Sequence, residues 1–126
     1  DFGTATTFDV IKNNSYIGGV IAPGINLSLK NLIKSASLIP NISIKKESKI
    51  IGKNTIASVR SGFYWGYTGL INNIIKLIKE QTNADFKIIF TGGLATFFKN
   101  SFSFKINVDK ELTLKGVLKV LKGNLL

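Results

Sequence analysis

The sequence predicts an α/β domain built on a mixed sheet flanked by helices, and three observations carry that prediction. Runs of β-branched and aromatic residues alternate along the chain with apolar stripes at helical spacing. The first two runs are separated only by Lys12, Asn13, Asn14 and Ser15, a hairpin turn that makes one strand pair antiparallel. A later run, FKIIF at 86–90, leads through Thr91, Gly92 and Gly93 straight into a helical pattern, as a strand-to-helix unit does.

In chain order, 2–11 reads as a strand with a threonine-rich turn inside it, and 16–21 as the return strand, ended by Ala22, Pro23 and Gly24. A helix follows over 26–37, with Ile25, Leu29, Leu32 and Ile33 on one face and Asn26 or Ser28 as its cap. The stretch 39–51 is polar and irregular around one short alternating strand, 42–44. A long helix starts at Asn54 or Thr55, both good caps, and runs to Gln81. Its second half carries Leu70, Ile71, Ile74, Ile75 and Ile78 in one stripe, with Lys76, Lys79 and Glu80 outside. Its first half carries Gly62, Gly66 and Gly69, which leave a flat groove although each costs roughly 1 kcal/mol of helix propensity relative to Ala. Either a close neighbour occupies that groove or the helix is kinked there. Strand 86–90, helix 94–99, strand 104–108 and a last helix over 113–122 complete the chain. That last helix is expected to turn Leu114, Val117, Leu118 and Leu121 inward and Lys115, Lys119 and Lys122 outward.

The 126 residues make one domain's worth of chain, with no repeat, linker or low-complexity tract. Without Cys there is no disulfide and no thiolate chemistry, and without His the usual general base and zinc ligand are missing. A reducing cytoplasm is compatible with that composition. No apolar run approaches the roughly 18 residues of a membrane span, and no signal-peptide pattern opens the chain. The net charge of +10 invites a nucleic-acid reading. Against it, every basic residue but Arg60 is Lys, and the lysines are spread from Lys12 to Lys122. Phosphate and base recognition draws on the planar fork of Arg. The expectation is therefore a solvated basic surface, with no nucleic-acid or membrane partner, whose field still attracts an anionic nucleotide.

Three segments carry chemistry. DFGTATTFD at 1–9 supplies Gly3, where an N–H can approach an anion, the hydroxyls of Thr4, Thr6 and Thr7, and the carboxylates of Asp1 and Asp9. It also reads as a polar turn in a threonine-rich strand. Thr91-Gly92-Gly93 stands between a strand and a helix, where main-chain N–H groups meet nucleotides, or where a plain tight turn lies. Gly52-Lys53-Asn54-Thr55 opens a helix but lacks the earlier glycine and spacing of a Walker A loop. Of the seven acids, Asp1, Asp9, Glu47, Glu80, Asp85, Asp109 and Glu111, none has the context of a general base.

Taken in order, DFGTATT, YIGGVIAPGI at 16–25, IGKNT at 51–55, SGFYWGYTGLI at 61–71, TGGLA at 91–95 and LTLKG at 112–116 resemble the C-terminal half of a type III pantothenate kinase. That resemblance implies the sugar-kinase and actin-like superfamily. In those proteins two ribonuclease-H-like halves enclose a nucleotide cleft, and 1–126 would be the C-terminal ribonuclease-H-like domain. It implies that an Asp-x-Gly-Asn-Thr phosphate loop and a Gly-x-Asp-Arg segment bearing the catalytic base lie upstream of Asp1. No residue of this chain is then assigned as catalytic, and the 126 residues alone are expected to be inactive. It implies ATP binding at Gly3, Thr4, Gly92 and Gly93, pantothenate binding at Thr55, and a monovalent cation, K+ or NH4+, at Asp1. Mg2+ or another divalent ion would accompany ATP. The resemblance further implies a cytoplasmic homodimer that phosphorylates pantothenate in the first step towards coenzyme A. A non-catalytic, transcriptional-activator-like protein of the same fold is the alternative.

Overall fold

The computed structural model describes residues 1–124. Strand β1 (Ala5–Lys12) pairs antiparallel with β2 (Ser15–Pro23). The two residues between them, Asn13 and Asn14, both take left-handed φ, 52° and 60°. That is the two-residue hairpin geometry whose twist matches the flanking strands, and Asn tolerates it better than most residues. A register shift between Val10 and Ile11 lies opposite Gly18, whose φ is 127°.

Helix α1 (Ile25–Ser35) follows Gly24 directly and buries Ile25 and Leu29. Neither Asn26 nor Ser28 caps it: Gly24 holds the cap position with no side-chain bond, and Ser28 already lies in the first turn. The expected strand 42–44 does not form. Ile42 is buried as an alternating pattern would have it, but the Ser43 carbonyl accepts from Arg60 Nε at 3.1 Å and pairs with no strand.

Helix α2 (Thr55–Thr82) runs unbroken through its three glycines. Asn54 is its cap, with Oδ1 accepting from the Ala57 N–H at 2.8 Å. Asn83 ends it in the left-handed conformation. Lys12 Nζ reaches from the hairpin to the Thr82 carbonyl at 2.8 Å, a cation placed at the negative end of the helix. The predicted stripe faces the core, with Ile71 and Ile75 buried and Leu70, Ile74 and Ile78 half-buried.

Strand β3 (Ile88–Phe90) pairs parallel with β4 (Ile106–Val108), and the four-residue helix α3 (Ala95–Phe98) lies between them. Phe2 joins the two strand pairs, bridging antiparallel to Thr6 and parallel to Gly92. The order across the molecule is therefore β2, β1, Phe2, β3, β4. The mixed sheet is present as two two-stranded pieces, because the seam between them is a single residue wide. One core of Phe2, Ile25, Tyr64, Ile71, Ile75, Phe90, Ala95, Phe98 and Ile106 lies between these strands and helices.

Helix α4 (Leu112–Asn124) departs from expectation. Leu114, Val117, Leu118 and Leu121 form the predicted stripe, yet they are 63, 50, 49 and 54% exposed, and no residue of the helix is buried. The described residues offer no surface for that stripe. The N-terminal end of α4 is held by Asp109, which accepts from the Glu111 N–H at 3.1 Å and from Lys115 Nζ at 2.9 and 3.0 Å.

Candidate functional site

Residues 1–7 fold back on themselves. Thr7 N–H donates to the Asp1 carbonyl and Gly3 N–H to the Ala5 carbonyl, both at 3.0 Å, so Thr4 stands at the tip of a tight turn. The three threonines separate by environment. Thr6 is 2% exposed and gives its hydroxyl to the Pro23 carbonyl at 3.0 Å. Thr7 Oγ1 is 3.5 Å from Asp9 Oδ2. Thr4 alone of the three is exposed. Of the three expected hydroxyls, Thr6 holds the hairpin to its own end, Thr7 is half-buried beside Asp9, and Thr4 is the one left exposed.

The Thr91-Gly92-Gly93 turn lies directly against this tip. Phe2 N–H donates to the Thr91 carbonyl at 2.9 Å, and Gly93 N–H donates to the Phe2 carbonyl at 3.0 Å. Gly92 has φ 90°, and a Cβ there would fall 2.6 Å from Asp1 Oδ1 and from both Phe2 N and O. Glycine is required on both counts, and the Asp1 carboxylate rests on the Gly92 α-carbon. Gly24 closes a third side: a Cβ on it would come 1.8 Å from the Thr4 carbonyl oxygen. Beneath, the Phe2 ring meets Phe90 edge-on at 5.0 Å and stacks on Phe98 at 5.3 Å. Asp1, Gly3, Thr4, Gly92 and Gly93 are therefore brought together by one main-chain clamp on an aromatic floor.

The Asp1 nitrogen donates to the Thr7 carbonyl at 2.8 Å. Among the described residues no group of three or more Asp, Glu, His or Cys is placed to hold a metal ion.

Thr55 is the first residue of α2, exposed, and is not the cap. It lines an open depression of about 510 Å³ with Leu38, Pro40, Glu47, Asn54 and Arg60. None of the residues of the Asp1–Gly92 cluster lines that depression, so Thr55 is not joined to them here. A second depression, about 450 Å³, is lined by Lys87, Asn107, Lys110 and Lys115 beside Asp109. There the Lys115 hydrogen bond holds the Asp109 carboxyl below its usual range, and Asp109 raises Lys115 in return. Gly24 and Tyr67 both shape the Thr4 tip; sequence reasoning placed Gly24 in a turn at the cleft but passed over this part of Tyr67. The Pro-Gly pair at the end of a strand marked the corner, but nothing local marked Tyr67.

In class, this is a small α/β domain of mixed strand order whose two glycine turns meet at one carboxylate and one exposed threonine. The chain belongs to the type III pantothenate kinase family, whose model matches residues 1–77. A type III pantothenate kinase from Pelagibacter ubique (strain HTCC1062) is 56% identical over 119 residues, covering 94% of this chain and 48% of that protein. Another, from Cereibacter sphaeroides (strain ATCC 17029 / ATH 2.4.9), is 45% identical over 125 residues, covering 98% of this chain and 49% of that one. The chain spans about half the length of the curated relatives it matches. A solved structure from Campylobacter jejuni, described as a conserved Baf family transcriptional activator, superposes with a TM-score of 0.61 at 30% identity. It covers 96% of this chain and 54% of that one. The family read from the ordered motifs is borne out. No helix among the described residues is long and apolar enough to cross a membrane.

Proposed function

We propose that this chain supplies one half of an ATP-dependent kinase that phosphorylates pantothenate to 4'-phosphopantothenate, the first step of coenzyme A biosynthesis. The observation that carries the reading is the convergence of Asp1, Gly3 and Thr4 with Gly92 and Gly93. Phosphoryl transfer asks the protein to hold phosphates, neutralise charge and align the acceptor hydroxyl. Gly3 and Gly93 leave exposed main chain against which a nucleotide can lie, Gly92 lets that turn close on Asp1 and Phe2, and the Thr4 hydroxyl donates to the phosphates. Asp1 offers one hard carboxylate, which suits a weakly held monovalent cation, K+ or NH4+. A divalent ion bound by protein alone takes more oxygen ligands, and Mg2+ is commonly carried by the nucleotide phosphates. Thr55, exposed at the start of a long helix, suits a small carboxylate-bearing substrate. The catalytic base belongs to the other half, which accords with seven acids none of which has the setting of a base.

The strand order β2, β1, Phe2, β3, β4 supports a ribonuclease-H-like domain in which Phe2 marks the central strand. A homodimer is part of the proposal. Added Cβ atoms at Gly62, Gly66 and Gly69 meet nothing within 4 Å, so α2 presents an open face beside Trp65. We place the working enzyme in the cytoplasm, with neither nucleic acid nor membrane as partner. The likeness to the Campylobacter jejuni protein favours a second reading, a non-catalytic regulator of this fold. The presence of Asp1, Thr4 and Thr55 together speaks for the kinase.

The test is a hybrid in which residues 1–126 replace the matching half of the Pelagibacter ubique relative. It is expected to form phosphopantothenate from ATP, while the 126-residue chain alone does not. In the hybrid, Thr4→Ala raises the KM for ATP and Thr55→Ala the KM for pantothenate. Each removes a hydrogen bond to a charged ligand worth about 1.5–3 kcal/mol, roughly ten- to a hundredfold. Swapped effects refute the assignment of the two threonines, and a hybrid that binds neither substrate refutes the kinase.

A further inference from the structure

Tyr67 lies on α2, twelve residues beyond Thr55, or about 18 Å along the helix at 1.5 Å per residue. Its hydroxyl is 3.0 Å from Ser28 Oγ, 3.3 Å from the Pro23 carbonyl and 3.5 Å from the Gly24 carbonyl. A phenol has one proton to donate: Ser28 Oγ accepts it at the shortest distance, with the two carbonyls as the longer acceptors, and all three lie at the start of α1 and the corner before it. Its ring stacks on Phe63 at 6.0 Å, which orients the hydroxyl towards that corner.

The corner that Tyr67 grips is the one the Thr4 tip rests on. The Gly24 α-carbon is packed so closely on the Thr4 carbonyl that no side chain fits between them. Pro23 is the β2 partner of Ala5, the residue after Thr4, and its carbonyl also takes the Thr6 hydroxyl. The tip is thus tied to the corner by main-chain contact, and the corner is tied to α2 by Tyr67. No cap or apolar stripe of α2 needs a hydroxyl at position 67, since Phe would stack on Phe63 as well.

We infer that Tyr67 is a positioning residue for the nucleotide: its hydroxyl fixes the Pro23–Gly24 corner and through it sets the Thr4 tip at the phosphates. This rests on the proposed role of Thr4. It makes α2 a rigid link between the phosphate tip at one point and Thr55 at its start.

The test uses the same hybrid kinase with Tyr67→Phe, which keeps the ring and removes only the hydroxyl. The KM for ATP rises roughly three- to tenfold, as the loss of one neutral hydrogen bond allows. The KM for pantothenate and the melting temperature stay at the wild-type values. Ser28→Ala, which leaves the carbonyl contacts intact, raises the KM for ATP less than Tyr67→Phe does. A lowered melting temperature with both KM values unchanged makes Tyr67 a merely structural residue and overturns the inference. So does a rise in the pantothenate KM instead of the ATP KM. Thr4→Ala, run in parallel, separates the two levels. If Thr4→Ala weakens ATP use and Tyr67→Phe does not, this inference alone is wrong. If Thr4→Ala leaves ATP use unchanged, the role of Thr4 is wrong and the inference falls with it.

Discussion

Replacing Gly92 by Ala tests the clamp on which the site stands. The methyl group would meet Asp1 Oδ1 and the Phe2 main chain, each at 2.6 Å. Two of those three contacts are backbone, which cannot swing aside as a side chain tip can. Relief therefore requires the Phe2 strand and the Thr91–Gly93 turn to part, and their two main-chain hydrogen bonds are lost. At about 0.5–1.5 kcal/mol net each, that loss is roughly 1–3 kcal/mol. The φ of 90° adds about 1–3 kcal/mol for a residue with a Cβ. The sum, about 2–6 kcal/mol, is a large share of the 5–15 kcal/mol that holds a typical domain together. Gly93→Ala is the control, because a Cβ there meets only the Phe2 carbonyl at 4.0 Å, an ordinary contact. Urea unfolding followed by the fluorescence of Trp65, the single tryptophan, reads both variants, since its ring lies 4.9 Å from Tyr64 beside the core. With a urea slope of about 1–3 kcal/mol per molar, Gly92→Ala lowers the midpoint by about 0.7 M or more, while Gly93→Ala barely moves it. Equal shifts for the two, or a cost below about 1 kcal/mol for Gly92→Ala, would refute the clamp.

Three further outcomes are expected. Asn54→Ala removes the cap of α2 and costs about 1 kcal/mol in the same titration; an unchanged midpoint would show the 2.8 Å bond to Ala57 to be without weight. The Asp109–Lys115 pair sets the pH dependence of α4. The Asp109 carboxyl is held low, chiefly by its hydrogen bond to Lys115, so its contribution is full above the ordinary carboxylate range and is lost as pH falls through the lowered value. Lys115 is held high, chiefly by the same bond, so its share is lost only as pH rises through the raised value. Amide exchange in the first turn of α4 should accordingly quicken at acid pH in the wild type and be flat there in Asp109→Asn; acid sensitivity that survives in Asp109→Asn would dismiss the pair. Gly66→Leu fills the open face of α2, so the hybrid kinase should sediment as a monomer where the wild type is a dimer, and a wild type that is monomeric at micromolar concentration ends the dimer proposal.

What the sequence made legible was whatever depends on neighbours along the chain. Asn13 and Asn14 announced a hairpin because the turn needs two positive φ values that Asn can supply. Asn54 announced the start of α2 because a cap is satisfied three residues away. The isoleucine stripe of α2 was legible because helical period and burial coincide, with Ile71 and Ile75 inside. The site residues Asp1, Gly3, Thr4, Gly92 and Gly93 were nameable through their motifs. That they form one cluster rests on two hydrogen bonds across some ninety positions of sequence, which no local pattern encodes.

Two of the misplaced readings share a physical cause. Residues 42–44 alternate as a half-buried strand should, and Ile42 is buried, but a strand also needs a free edge to pair with. Arg60 takes the Ser43 carbonyl first, so the alternation survives without the ladder. Helix α4 is the mirror case: its period is right, its first turn is secured by Asp109, and its leucines and valines remain in solvent. Periodicity states which side of an element avoids water, and it is silent on what will cover that side. Tyr67 shows the opposite failure, a side chain whose value is invisible in its own helix. It lies in the aromatic run 63–67, where each residue reads alike as apolar bulk. The structure separates them: Tyr64 goes to the core, Phe63 and Tyr67 stack at its edge, and Trp65 stays 36% exposed. Only the hydroxyl at 67 meets the corner beneath Thr4, more than forty residues upstream. A residue's chemistry is therefore legible where its partner is within a turn of chain, and becomes legible at longer range only when the fold has chosen the partner.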